Sequence, residues 1–233
     1  MIILSRNRVE TAWDTELAEA LAVNLNAHIL SIPFLYDLRS FGPTVQRLRE
    51  IDEPTICISP LPVRAAENLL GIILGKRSVL TRFVDPRNRS IDTIVRFLDE
   101  KKIRNGQPGQ VDRVDEPTTK RWYPIIDKNR CTGCLECVNF CLFGVYVIGN
   151  GDRPLVDQPD ACRDGCPACS RVCPGRAIMF PMHEDRVIAG EIDAEESQTN
   201  ADTTQAEKER KRHLSNVPDG LDDLVDRIDR FSP

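Results

Sequence analysis

Eight of the nine cysteines fall between Cys131 and Cys173, in two runs of nearly equal spacing. The first, CTGCLECVNFC, places Cys131, Cys134, Cys137 and Cys141 in a C-x2-C-x2-C-x3-C pattern. The second places Cys162, Cys166, Cys169 and Cys173 in C-x3-C-x2-C-x3-C, closed by Pro174. Its first gap is one residue longer than its counterpart. Thiols are rarely packed this densely for burial alone. The opening MIILSRNRVE has too short an apolar run for a secretory signal, so a cytoplasmic location is expected. A reducing compartment disfavours structural disulfides and directs attention to metal ligation or redox chemistry. The ninth cysteine, Cys57, sits in the apolar run PTICISPL and reads as a small buried thiol with no chemistry of its own.

Three thiolates spaced two residues apart can curl around one compact inorganic cube and bind three of its irons, but they cannot reach its fourth corner. That corner needs a distant cysteine. Structural zinc is the alternative, and it usually draws two ligands from each of two separated knuckles around one small ion. Two triplets, each followed by a fourth cysteine, are grouped differently. Iron–sulfur clusters are the preferred reading, with zinc and disulfides as the remaining alternatives.

Residues 122–181 resemble a bacterial-type two-cluster ferredoxin on the strength of these eight cysteines. The resemblance implies a pseudo-twofold α+β fold, with WYPII and AIMF as outer strands and VYVI and PLV as a hairpin around GNGD. It also implies two [4Fe–4S] clusters whose fourth ligands are exchanged between the runs. One would take Cys131, Cys134, Cys137 and Cys173, and the other Cys162, Cys166, Cys169 and Cys141. The sequence departs from the family pattern in having Leu142 where a proline usually follows the first run, and in the longer Cys162–Cys166 gap. Gly165 inside that gap is expected to absorb the extra residue.

Residues 1–102 alternate short β-rich runs (IILS, HILSI, TICIS, SVLTRFV) with segments of helical periodicity, a pattern that predicts a small parallel sheet covered on both faces. This N-terminal α/β domain is expected to be flavodoxin-like or chelatase-like. No nucleotide signature is found: GIILGKRS imitates a P-loop but is one residue short and continues a helical run. The arginines at strand ends (Arg6, Arg8, Arg64 and Arg87) suggest an anion site, a docking face or an ion-paired rim. Residues 103–121 are polar and aperiodic and read as a linker, followed by the cysteine-rich domain over 122–190. Residues 191–217 are expected to be a disordered acidic linker, and 218–233 an amphipathic helix suited to docking.

The formal net charge is −5, with the excess acid in the tail after residue 190. Basic and acidic residues are otherwise interspersed, which argues against a nucleic-acid partner. No stretch is long and apolar enough to span a membrane. No catalytic base or nucleophile stands out beside the cysteines, and His183 reads as a surface residue. The expectation is an electron carrier, not an enzyme, whose N-terminal domain docks a redox partner protein. The alternative is a redox enzyme in which that domain binds an anionic small molecule or tetrapyrrole.

Overall fold

The computed structural model describes residues 1–74, 81–101, 109–149 and 151–191. The tail helix predicted over 218–233 lies outside the described residues, as does the preceding acidic stretch from 192 onward. Four strands of the N-terminal half form where the sequence places β-branched runs: β1 (Ile2–Ser5), β2 (His28–Ile32), β3 (Thr55–Ile58) and β4 (Thr81–Val84). They alternate with helices α1 (Ala12–Leu25), α2 (Pro43–Arg49), α3 (Val63–Leu74) and α4 (Ile91–Glu100). Local chemistry starts these helices. Ser90 caps α4 by accepting from the Thr93 amide, Pro43 begins α2, and the buried Asp14 carboxylate gathers the amides of Asn7 and Thr11 ahead of α1.

All strand pairs are parallel, in the order β4-β3-β1-β2-β5, where β5 is Gln110–Arg113. The segment read as a linker therefore supplies an edge strand. Its polar side chains concealed it from a hydropathy reading, because an edge strand needs only backbone pairing on one side and tolerates charge on its exposed flank. The period-2 pleat divides the apolar side chains of the inner strands between two cores. Ile2, Leu4, Ile29, Ile56 and Ile58 pack with α1 and α4, whereas Ile3, Leu30, Ile32 and Cys57 face α2 and α3. Cys57 is fully buried, and desolvation pushes its thiol up to about 12. It should resist alkylation of the native protein at neutral pH and react only after denaturation, as mass spectrometry of iodoacetamide-treated protein would read directly.

The second half forms two small antiparallel ladders. β6 (Ile125–Ile126) pairs with β9 (Ile178–Met179), and β7 (Tyr146–Ile148) with β8 (Pro154–Val156). Three short helices accompany them: α5 (Glu136–Phe140), α6 (Ala168–Val172) and α7 (Arg186–Ala189). No helix among the described residues is long and apolar enough to cross a membrane.

The two halves share a core. Tyr123, Ile125 and Met179 belong to the same buried cluster as the α2/α3 face of the sheet. In an open parallel sheet the carboxyl ends of the strands are where ligands usually bind. Here that rim is ion-paired, in part with the chain's own cysteine-rich half. Arg6, after β1, pairs with Asp115 at 2.9 Å; Arg64, after β3, pairs with Asp127 at 2.8 Å; Arg87, after β4, pairs with Glu191 at 2.9 Å. Arg8 grips Asp37, whose carboxylate also accepts the Arg121 amide. Tyr36 and Tyr123 stack at 4.4 Å, each hydroxyl donating to the other residue's carbonyl. Such a stacked pair contributes roughly 0.5–1.5 kcal/mol beyond its burial. The rim arginines thus form an ion-paired rim, Arg6 and Arg8 within the α/β unit and Arg64 and Arg87 with the cysteine-rich half.

Candidate metal centre

Each cysteine run is built the same way: a loop holding the first two cysteines, a one-and-a-half-turn helix carrying the third, and the fourth just past the helix end. Cys137 lies on α5 and Cys169 on α6. Cys141 and Cys173 close these helices with nearly identical extended backbone angles, φ −78°, ψ 113° and φ −75°, ψ 111°. The pseudo-symmetry extends to the loops. Gly133, directly before Cys134, and Gly165, directly before Cys166, both adopt the left-handed conformation, with φ of 78° and 72°. The longer gap in the second run therefore keeps its glycine–cysteine step and places the additional residue upstream of it.

The fourth cysteine of the first run stands among the thiols of the second, and Cys173, the fourth of the second run, neighbours Cys137 of the first. Cys141, Cys162, Cys166 and Cys169 line one cavity of about 220 Å³, together with Tyr146. Burial pushes the Cys162 thiol up to about 12, and the neighbouring Cys169, Cys166 and Cys141 add to the rise. Cys137 is likewise raised to about 12, by burial first and then by Cys169, Cys173 and Cys131. Cys169, raised to about 11 by burial, is a neighbour of both sets. A contact of the backbone accounts for the position of Cys173. A Cβ on Gly175 would lie 2.5 Å from the Arg130 carbonyl oxygen, so only glycine lets the end of the second run close against the start of the first. Cys134 is exposed.

Six of the eight cysteines contribute to one apolar cluster with Ile126, Val145, Tyr146, Ile178 and Phe180. Buried thiols with raised pKa values are stable as neutral groups in this pocket. Ionising them together requires a cation-rich occupant. Several donors already point inward or brace the loops. The Ala177 amide donates to Cys173 Sγ at 3.3 Å, Trp122 Nε1 donates to the Cys166 carbonyl at 3.1 Å, and the Cys131 amide donates to the Asp127 carbonyl at 3.0 Å.

No protein-family model matches the chain. Over 61 residues it is 48 % identical to an uncharacterised ferredoxin of Methanocaldococcus jannaschii, an overlap of 26 % of this chain and 41 % of that protein. It is 35 % identical over 69 residues to the thiosulfate reductase electron transfer subunit PhsB of Salmonella typhi, covering 27 % of this chain and 35 % of the other. A third relative, pyruvate synthase subunit PorD of Methanothermobacter marburgensis, is 28 % identical over 74 residues, 32 % of this chain and 84 % of its own. The chain carries a ferredoxin-like iron–sulfur domain. It spans less than half the length of the first two relatives.

Within the ferredoxin-like domain the residues missed in the sequence are those that serve the cysteines from other elements. Asp127 and Trp122 carry no signature of their own. Tyr146 carries none either, because VYVI does not alternate: Val145 and Tyr146 are buried while Val147 and Ile148 are both exposed. His183, read as surface, is half-buried with its ring 6.2 Å from that of Trp122, and its Nδ1 accepts the Asp185 amide.

Proposed function

We propose that the chain is an electron carrier holding two [4Fe–4S] clusters, one on Cys131, Cys134, Cys137 and Cys173, the other on Cys141, Cys162, Cys166 and Cys169. The observation that carries this reading is the single cavity lined by three thiols of the second run and one of the first. Among the described residues no three His, Cys, Asp or Glu side chains converge closely enough to share one metal ion. A cubane suits such a spacing, since it takes one cysteine per iron, whereas zinc needs four ligands at one point. Each cluster, when bound, takes up and returns one electron. The chain's part is to hold the thiolates, to exclude water with the apolar shell around Cys137 and Cys169, and to direct amides such as that of Ala177 at sulfur.

The relatives' printed descriptions, a ferredoxin and subunits of a thiosulfate reductase and a pyruvate synthase, support delivery of electrons to or from a larger redox partner. The N-terminal α/β unit then acts as a mount. Its ligand-binding rim is engaged with residues 115–127 and 191, so partner docking falls to its other surfaces and to the exposed flank of the cysteine loops, where Leu142 is 91 % exposed. The rival reading, an anion or tetrapyrrole bound by rim arginines, finds Arg6, Arg8, Arg64 and Arg87 each ion-paired. Anaerobic purification followed by iron, sulfide and zinc analysis tests the proposal. About eight irons and eight sulfides per chain are expected, with reversible bleaching on reduction. Colourless protein loaded with zinc refutes it.

A further inference from the structure

The hydroxyl of Tyr146 has no hydrogen-bond partner, although its residue is only 8 % exposed. A buried hydroxyl left unpaired costs roughly 1–3 kcal/mol, and folded proteins leave few of them. The ring is fixed in place. Tyr146 opens β7, is paired across the ladder with Val156, and packs in the apolar cluster with Cys137 and Cys169. Its side chain lines the cavity shared by Cys141, Cys162, Cys166 and Cys169, facing the Cys169 sulfur without meeting it in hydrogen-bond geometry. A phenol ionises only at about pH 10 in its ordinary range, so the hydroxyl is a donor at neutral pH. The cavity wall is otherwise apolar side chains and thiols, none of which satisfies the donor. An anionic sulfur cage in the cavity would.

Resting on the two-cluster reading above, we infer that Tyr146 Oη donates a hydrogen bond to the sulfur of the cluster held by Cys141, Cys162, Cys166 and Cys169, and sets that cluster's potential above what its thiolates alone would give. The physical reason is charge. A hydrogen bond to an ionised acceptor is roughly twice as strong as a neutral one, and it strengthens as the acceptor gains an electron. Tyr146 therefore favours the reduced form of one cluster and leaves the other untouched. Tyr146 is a positioning residue for charge and takes no part in electron transfer as a carrier.

Tyr146→Phe keeps the ring and removes only the hydroxyl, so the apolar packing that holds β7 is retained. Measured by anaerobic potentiometric titration of the full chain, the variant should disfavour reduction of one cluster about tenfold, a fall of about 59 mV in one midpoint, with the second midpoint unmoved. In the wild type, the reduced cluster should show a coupling to an exchangeable proton by electron–nuclear double resonance, and that coupling should be absent in the variant. If iron and sulfide are retained and both midpoints stay in place, or if both move equally, the tyrosine assignment falls and the cluster reading survives. If neither protein contains iron and sulfide, both fall together.

Discussion

On the proposed two-cluster arrangement, replacing Cys141 with alanine is expected to empty the site of the second cysteine run and leave that of the first intact. The expectation follows from where α5 ends. Phe140 is its last residue, and Cys141 turns into extended backbone, which puts its thiol in the cavity with Cys162, Cys166 and Cys169. Iron should fall from about eight to about four per chain, since each cubane holds four. Counting iron in the single variant does not say which cluster remained, but paired substitutions do. Cys141→Ala with Cys166→Ala strikes one set of ligands twice and should retain about four irons. Cys141→Ala with Cys134→Ala strikes both sets and should retain almost none. If each run served its own cluster, the two double variants would exchange outcomes. Gly175 gives the proposed arrangement a backbone cause, because its close approach to the Arg130 carbonyl brings the end of the second run against the start of the first.

The cysteine pattern was legible because ligand spacing is a local property, set within each run of a dozen residues. The inner strands were legible for a similar reason: Ile2–Ser5, His28–Ile32 and Thr55–Ile58 are short apolar runs between helices, and sheets buried on both faces favour such runs. What could not be read is long-range. β5 is a polar edge strand whose only commitment is backbone pairing with β2, and side-chain hydropathy does not encode that. The use of Arg64 was equally hidden. Its place after β3, in the first turn of α3, marked it as a rim residue, but its partner, Asp127, stands 63 positions away and belongs to the cysteine-rich half. The gap between Cys162 and Cys166 lies between these cases: the sequence pointed to Gly165 to absorb the insertion, but Gly165 repeats the left-handed step of Gly133, and the additional residue lies upstream of it.

That hidden pair carries the second large effect. Arg64 and Asp127 are both almost fully buried, and each satisfies more than the other's charge. Arg64 Nε donates to Asp127 Oδ2 at 2.8 Å while Nη2 donates to the Arg176 carbonyl, three residues past Cys173; Asp127 Oδ1 accepts the Asn129 amide, two residues before Cys131. One guanidinium of the α/β unit thus ties together the start of the first cysteine run and the end of the second. Removing one partner leaves an uncompensated buried charge, a loss of about 3–5 kcal/mol, whereas replacing both with apolar groups can be nearly neutral. Arg64→Met and Asp127→Leu should each lower the denaturant midpoint markedly and hasten iron loss from the folded protein. The double variant should be destabilised by less than the sum of the two, a non-additivity of the kind seen for residues in direct contact. Iron loss is the discriminating readout. If the pair merely fastens two independent modules, the single variants will separate the α/β unit yet hold iron as firmly as the parent; if it shapes the cysteine loops, release will accelerate in step with the fall in stability, because the same two side chains fix both loop ends.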